Sequence, residues 1–247
     1  MKRDDQAQAN GERQTPEAFW NGILNDGRYK SITQKMILEE DTAQADRDAP
    51  RDIQEVLALL PPLPCNARIL ELGAGAGRFT RHLAHRAGYV MACDFVAAFC
   101  DENRASCQSL GLHHVDVVCA DATVLEPPPE FDLVFVNWLL MYLSDDAVRR
   151  VLRRMTEALA PGGWLLFRES CDRTDEGRDH VWLPQQPEYP AVYRSLRWYT
   201  ETLGDLVVPG LLVRPAEVLP LWSMSQEDTV QAVWLWQREQ LPSAKSA

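Results

Sequence analysis

Short apolar runs alternate with amphipathic stretches through the middle of the chain. The apolar runs have the length of buried strands and occupy residues 68–72, 89–93, 115–119, 131–136 and 164–169. Between them, apolar residues recur at helical spacing over residues 78–86, 97–110 and 145–160. Such alternation predicts an α/β fold with a doubly wound, mostly parallel sheet and helices on both faces. Ligands of these sheets bind outside the carboxyl ends of the strands, where the strand order reverses.

The N-terminal region has a different pattern. Residues 1–16 are polar and mixed in charge, which predicts a disordered tail. Residues 17–50 are partly helical in pattern with scattered aromatic side chains, which is typical of a cap or lid. Pro50 stands just ahead of a further helical pattern, so we expect a helix to begin there and the main domain to span residues 51–240.

The C-terminal third is less regular. Residues 172–191 are polar and contain prolines, which predicts a loop over the site. Weaker strand patterns follow at residues 206–213 and 229–237. In the second of these, Trp234 and Trp236 alternate as strand residues do, so we expect both in the core.

Composition narrows the possible partners. The chain has 25 Lys and Arg against 36 Asp and Glu, a net charge of -11, which disfavours binding to nucleic acid or to anionic membranes. It contains no apolar run of membrane-spanning length and no apolar stretch typical of a signal peptide. The six cysteines form no Cys-x-x-Cys pair, which favours reduced thiols in the cytoplasm and no metal site. We therefore expect a small-molecule substrate, and the oligomeric state stays open.

A glycine-rich turn follows the first apolar run. Gly73, Gly75 and Gly77 have the spacing G-x-G-x-G, and Arg78 stands where a dinucleotide-binding fingerprint requires its third glycine. The acidic Glu71 just before the turn also suits a cationic or zwitterionic ligand better than a pyrophosphate. The turn therefore indicates a nucleotide-like ligand other than NAD.

Two aspartates end the next two apolar runs. Asp94 could accept hydrogen bonds from ribose hydroxyls, or could serve as the N-cap of the following helix. Asp121 could accept from an adenine amino group, or could be a turn residue. Because both lie at the sheet edge that also carries the glycine turn, together they favour a nucleoside-type cofactor.

The chain resembles the class I S-adenosylmethionine-dependent methyltransferases, and within them the plant-type phosphoethanolamine N-methyltransferases. Beyond the glycine turn, the strings that carry the resemblance are NWLLMYLSD at 137–145, FRESC at 167–171, YR at 193–194, RWY at 197–199 and WLWQ at 234–237. The likeness runs from about Phe19 to Gln237. It implies S-adenosylmethionine as cofactor and N-methylation of phosphoethanolamine or a methylated phosphobase.

The resemblance also implies roles for particular residues. Cofactor contacts fall on the glycine turn and on the ends of later strands: Gly73, Arg78, Asp94, Asp121, Ala122 and Asn137. Substrate contacts fall on Ser170, Tyr193 and Arg197, with Arg194 and Tyr199 close by. Neighbouring motif positions extend the predicted site to Glu71, Gly75, Gly77 and Phe95 on the cofactor side and Trp138 on the substrate side. Tyr142 would lie beside the reacting methyl group, as the residue that takes the proton of an amine nucleophile.

Several of these assignments have alternatives in the sequence itself. Tyr142 could be a buried aromatic residue that orders a helix start. Arg194 and Arg197 could share a helix face and bind an anion, or could lie on a solvated face paired with Glu201. Arg168 could simply end its strand at the surface.

The chain also departs from the family. Val192 stands where the family has a histidine before its Tyr-Arg pair, residues 172–191 do not follow the family pattern, and the chain has room for one of the two domains of the plant enzymes. The acceptor could therefore be an amino acid, a phosphonate or a thioether. A cofactor-binding module that regulates a partner without catalysis is a further alternative.

Overall fold

Three helices begin the structure, a computed structural model that describes residues 15–172, 180–181, 190–205, 211–212, 217–219 and 229–239. These are α1 (Pro16–Asn25), α2 (Ile32–Ile37) and α3 (Thr42–Leu57). Each begins at a side chain that accepts a hydrogen bond from the first turn, as N-caps do: Thr15, Ser31 and Asp41. Residues 1–14, most of the expected tail, lie outside the described residues.

The expected helix start at Pro50 is wrong, because α3 begins at Thr42 and contains Pro50. Proline removes a helical hydrogen bond, so packing must favour the longer helix. The extra turns bury Ala45 and Ala49 against Ile37 of α2 and the side chain of Trp138. One continuous helix therefore spans the boundary that the sequence predicts at residue 50.

The central sheet has parallel strands in its first five positions. Its strands are β1 (Arg68–Leu72), β2 (Tyr89–Asp94), β3 (Val115–Cys119), β4 (Phe131–Asn137), β5 (Leu159–Asp172), β6 (His180–Val181), β7 (Tyr193–Ser195), β8 (Leu211–Leu212), β9 (Glu217–Leu219) and β10 (Thr229–Arg238). The order β3-β2-β1-β4-β5-β10-β8 reverses direction between β1 and β4, and β10 runs antiparallel to β5. The five strands expected from the apolar runs are confirmed as β1 to β5.

Helices cover both faces of the sheet because successive strand residues point to opposite sides. These helices are α4 (Thr80–Ala84), α5 (Ala97–Ser109), α6 (Asp145–Ala158) and α7 (Leu196–Asp205). Leu70 and Leu72 of β1 face a core built with α6 and α7, whereas Ile69 faces a second core built with α3, α4 and α5. The doubly wound architecture is confirmed.

The C-terminal elements agree in part with the sequence. Trp234 and Trp236 of β10 are fully buried, as their alternation predicts, and Trp234 stacks on Phe167 with ring centroids 4.6 Å apart. β5 is longer than expected at both ends and takes in the Pro-Gly-Gly sequence at 161–163. Most of the expected loop at 172–191 and most of the weak strand at 206–213 lie outside the described residues. Within the described part of the chain, no helix combines the length and the apolar character needed to cross a bilayer.

Candidate functional site

A cavity of about 530 Å³ lies at the carboxyl ends of β1, β2 and β4, next to the point where the strand order reverses. We call it the central cavity. Twelve of the residues predicted for the site line it: Gly73, Gly75, Arg78, Asp94, Phe95, Asp121, Ala122, Asn137, Trp138, Tyr142, Ser170 and Tyr193. Its volume is within the usual range for small-molecule sites.

The glycine turn brings backbone to the wall of the cavity. Gly73 and Gly75 have φ values of 71° and 54°, a region that side chains rarely allow. A Cβ atom at Gly73 would lie 3.1 Å from the Cβ of Leu139, and one at Gly75 would overlap Met36 of α2. The amides of Gly73 and Ala74 both donate to the Cys93 carbonyl, at 2.9 and 3.0 Å, which fixes the turn against β2.

Asp94 is not the N-cap of α5, because that helix begins after Val96 and has no side-chain cap, whereas the position of Asp94 on the cavity wall leaves the ribose contact a prediction. Its carboxylate accepts from the amides of Gly75 and Val96 at 2.8 and 2.9 Å, and it also lines the cavity. Burial raises the pKa of Asp94. Asp121 accepts from the Thr123 amide at 2.7 Å, as a turn residue does, and lies on the cavity wall as well.

Glu71 and Gly77 are not among the residues that line the cavity, so their expected ligand contacts are not met. Glu71 is buried under the turn, where it accepts from the Thr80 hydroxyl at 2.6 Å, and burial raises its pKa to about 8. The Thr80 hydroxyl oxygen in turn accepts from the side-chain Nδ2 of Asn103 at 3.0 Å. The same Asn103 side chain lies so close to Gly77 that a Cβ atom at Gly77 would overlap it. Glu71 and Gly77 therefore stabilise the glycine turn on the side away from the cavity.

Buried charges join the cap to the sheet beside the cavity. Asp52 of α3 pairs with Arg78 after the glycine turn, and with Arg168 of β5 at 2.8 Å. Both guanidinium groups lie over the Trp138 ring, at 5.3 Å for Arg78 and 4.2 Å for Arg168. Desolvation lowers the pKa of Arg78 to about 10. Arg168 is fully buried, so the expectation that it ends its strand at the surface is wrong.

The acceptor end of the cavity, as we name the part around Trp138 and Tyr142, is aromatic and polar. Trp138 has a φ of 52°, and its indole nitrogen donates to Gln231 Oε1 at 2.8 Å. Gln231 in turn donates to the Ser170 hydroxyl at 2.8 Å. Tyr142 meets Trp20 of α1 edge to face, with ring centroids 5.7 Å apart. A strained tryptophan held by a side-chain hydrogen bond is typical of a functional site.

The arginine cluster does not form at the cavity. Arg194 and Arg197 do not share a helix face, because Arg194 lies in β7 and Arg197 in α7. Arg194 is fully buried and pairs with Asp145 at 2.9 Å, whereas the Arg197 side chain is half-exposed and lies 4.0 Å from Glu201. Tyr199 is buried in the core beside Phe167. The expected substrate contacts of Arg194, Arg197 and Tyr199 are therefore wrong. Within the described residues 190–205, Tyr193 is the residue that lines the cavity.

Sequence reasoning missed the wall that the cap provides. Trp20 of α1, Met36 of α2 and Leu38, which follows α2, line the cavity, although the sequence indicates a lid over this region without naming its contacts. Gln231 was missed because its partner, Trp138, is distant in sequence, and the strand pattern of residues 229–237 does not show which residues the side chain of Gln231 contacts. Asn137 was predicted and accepts from Arg168 Nη1 at 3.3 Å.

Comparison with known proteins agrees with this geometry. A family model described as a methyltransferase domain matches residues 69–163, the part of the chain from β1 to the start of β5. Residues 69–163 thus carry a methyltransferase domain. The match covers the glycine turn and both aspartates, and it ends before Ser170, Tyr193 and Gln231, which also line the cavity.

Similar proteins extend the likeness beyond the methyltransferase domain. Phosphoethanolamine N-methyltransferase of Triticum aestivum is 32% identical over 241 residues, with 92% of this chain and 44% of that protein covered. The chain thus spans less than half the length of this relative. Phosphoethanolamine N-methyltransferase 1 of Haemonchus contortus, solved with phosphoethanolamine and S-adenosylhomocysteine, has a TM-score of 0.68 and 25% identity, covering 93% of this chain and 49% of that one.

The fold alone does not assign the chemistry. The [4+2]-cyclase SpnF matches with a TM-score of 0.61 at 17% identity, covering 79% of this chain and 81% of that one. A protein named as a cyclase therefore shares the architecture, and function has to be argued from the site.

Proposed function

We propose that this chain transfers a methyl group from S-adenosylmethionine to the nitrogen of a small zwitterionic amine, phosphoethanolamine or a methylated phosphobase. The observation that carries the proposal is a single cavity whose one end is built from the glycine turn and two aspartates and whose other end is aromatic. The similarity to phosphoethanolamine N-methyltransferases supports the acceptor.

The residues present fit the cofactor. At Gly73 and Gly75, glycine lets Leu139 and Met36 pack close to the turn, and the backbone of both glycines lines the cavity, where a ligand could approach it. The Arg78 Nε is buried and has no hydrogen-bond partner among the described residues, which suits a ligand carboxylate. Asp94 and Asp121 would accept from ribose hydroxyls and from the adenine amino group. When bound, S-adenosylmethionine supplies an electrophilic methyl group on a sulfonium.

The chain has two tasks in such a transfer. It must hold the acceptor nitrogen in line with the methyl carbon, a proximity effect worth ~7–11 kcal/mol. It must also receive a proton, because an alkylammonium group with a pKa near ~10.4 is mostly protonated at neutral pH. Tyr142 lies at the acceptor end, and we propose that its hydroxyl oxygen takes the ammonium proton while the hydroxyl proton passes to solvent. Trp138, Ser170 and Tyr193 would position the acceptor.

One observation favours a second candidate. Among the described residues that line the cavity, Arg78 is the one cationic side chain, and Asp52 pairs with it. A phosphate would need a cation there. Another small methyl acceptor is therefore the second candidate: the observation favours a thioether or an amino acid, whereas a phosphonate would need the same cation as a phosphate. A module that binds the cofactor without catalysis is the third.

A panel of acceptors with methyl-labelled cofactor tests the proposal. We expect transfer to phosphoethanolamine or its methylated forms and at least about 100-fold less to ethanolamine, which lacks the phosphate that the polar groups at the acceptor end would bind. Label on amino acids or thioethers alone would favour the second candidate. If calorimetry shows that S-adenosylhomocysteine binds but no acceptor is methylated, the third candidate, a module that binds the cofactor without catalysis, is favoured.

A matched pair of tyrosine variants tests the proton acceptor. Tyr142→Phe should lower kcat by about 100-fold with unchanged cofactor affinity, as loss of general base catalysis does. Tyr89→Phe is the control, because Tyr89 lies at the opposite end of β2 and donates to Asp116 at 2.9 Å. Equal kcat values for the two variants would contradict the role of Tyr142 as the proton acceptor.

Partners and location stay proposals of the same kind. We expect a small-molecule substrate and no binding to nucleic acid, given the net charge of -11. All six cysteines are free, which fits the proposed cytoplasmic location.

A further inference from the structure

The segment 138–143, which we call the acceptor turn, is held by charged side chains that the proposed reaction does not use. It follows β4 and contains a single 3-10 turn at Leu140–Tyr142. Trp138 and Tyr142 project from it to the cavity wall. The residue before the 3-10 turn, Leu139, has no side chain that could cap it, so the first amides need acceptors from elsewhere.

Glu169 of β5 provides these acceptors. Its Oε1 accepts from the amides of Leu139 and Leu140 at 3.1 and 2.7 Å, and its Oε2 accepts from Met141 at 3.2 Å. Glu169 is fully buried. Because a buried carboxylate is unfavourable unless it is hydrogen-bonded, three consecutive amides and one carboxylate stabilise each other. This carboxylate replaces an N-cap from a neighbouring strand.

Arg194 of β7 holds the same turn from its carbonyl side. Its Nη1 donates to the Leu140 carbonyl at 3.0 Å and its Nη2 to the Leu143 carbonyl at 2.6 Å. Its Nε donates to Asp145 at 3.0 Å, just after the turn. The adjacent Val192 amide also donates to the Met141 carbonyl at 2.7 Å. The guanidinium therefore links β7, which carries Tyr193, to the turn that carries Tyr142.

The remaining amides of the acceptor turn are also satisfied. Trp138 donates to the Arg168 carbonyl at 3.0 Å, and Tyr142 and Leu143 donate to Leu139 and Leu140 at 3.1 Å each. All six amides from 138 to 143 thus have partners, three of them on one side chain. A turn with its amides fully paired has few other conformations available.

We propose that Glu169 and Arg194 are positioning residues that clamp the acceptor turn through its backbone and thereby orient Tyr142 and Tyr193 toward the methyl acceptor. The consequence for catalysis rests on the proposed function, whereas the clamp itself is a property of the folded chain. A loosened clamp should misplace the acceptor and its proton acceptor while leaving the glycine turn intact. Small misplacements of this kind have large effects on rate.

The first test measures the clamp without any ligand. In Glu169→Gln, the amide NH₂ group replaces one acceptor oxygen and meets a backbone amide, so hydrogen exchange at residues 139–141 should be at least about 10-fold faster than in the parent. Arg194→Lys should loosen the turn as well, because an ammonium cannot reproduce the fork of bonds. Unchanged exchange at 139–141 in both variants would overturn the proposal.

The second test separates positioning from a general loss of stability. In both variants we expect the acceptor kcat to fall about 10- to 100-fold, with the affinity for S-adenosylhomocysteine within about threefold of the parent. Asp132→Ala is the matched control: it removes the acceptor of the Arg68 amide, 2.8 Å away, at the end of β4 remote from the acceptor turn. It should destabilise the protein without changing the acceptor kinetics.

The outcomes distinguish this inference from the proposed function. A parent protein that transfers no methyl group contradicts the proposed function, while the exchange rates at 139–141 still decide the clamp. If Asp132→Ala lowers the acceptor kcat as much as Glu169→Gln does, the positioning role is refuted.

Discussion

The two ends of the central cavity are built in different ways. The cofactor end depends on the backbone. Gly73 and Gly75 have positive φ angles, and nearby backbone amides donate hydrogen bonds to the Asp94 carboxylate. The acceptor end depends on side chains from distant parts of the chain, with Trp138 held by Gln231 of the last strand. Local motifs therefore describe the first end well, whereas the second depends on contacts that no short sequence string contains. Substitutions at each end should consequently fail in different ways.

The largest effect is expected where the two ends meet, at Asp52. This carboxylate pairs with Arg78 from the cofactor end and with Arg168 from the acceptor end. Asp52→Asn leaves two buried guanidinium groups without a counter-charge, so we expect the free energy of unfolding to fall by about 3–5 kcal/mol. Urea denaturation measures it. A loss below about 1 kcal/mol would mean that the two ends are not coupled through this residue.

The next effect is confined to the cofactor end. Asp94→Ala removes the acceptor for the amides of Gly75 in the glycine turn and Val96 at the start of α5, and also the proposed ribose contact. The Kd for S-adenosylhomocysteine should therefore rise about 100-fold, which corresponds to about 2.7 kcal/mol. Titration calorimetry measures it. Asp116→Ala is the control, because Asp116 is an exposed aspartate on the next strand. Similar affinities of the two variants would contradict the role of Asp94.

The sequence predicts the fold and the cofactor end for the same physical reason. Strands β1 to β5 are short apolar runs bounded by turn residues. A turn that requires positive φ angles needs glycines, and closely spaced glycines can be recognised in the sequence. Trp234 and Trp236 are both buried because alternation is itself the pattern of a strand. In these cases the information is local.

The failures concern partners that are distant in sequence. Arg168 and Arg194 were expected to meet solvent or substrate, because an arginine rarely lies fully buried. Their counter-charges, Asp52 and Asp145, lie on helices far along the chain, and only the tertiary structure brings them together. Pro50 was expected to start a helix because its local effect is to break one, and the packing of Ala45 and Ala49 outweighs that effect.

A smaller effect should sharpen the assignment of Glu71 as support for the glycine turn. Its folded pKa of about 8 lies above the ordinary value of 4.5, so the folded state binds the proton more tightly. This contribution to stability is complete below pH 4.5 and is lost as the pH rises toward 8, with a slope of at most about 1.4 kcal/mol per pH unit. Denaturation across this pH range should show a flatter profile for Glu71→Gln. A 10-fold weaker affinity for S-adenosylhomocysteine with an unchanged pH profile would instead make Glu71 a ligand contact.

The smallest effect is expected at Arg197, and it decides between the resemblance and the structure. By the resemblance, Arg197 contacts the substrate, and its loss should raise the acceptor KM at least about 10-fold, as the loss of a charged hydrogen bond does. In the structure, its side chain is half-exposed and 4.0 Å from Glu201 on the same helix, an arrangement worth about 0.5 kcal/mol or less. We therefore expect Arg197→Ala to change KM less than twofold, in steady-state kinetics with saturating cofactor. A rise of 10-fold or more would place this helix at the acceptor end during the reaction, and the two ends would then differ less than the structure indicates.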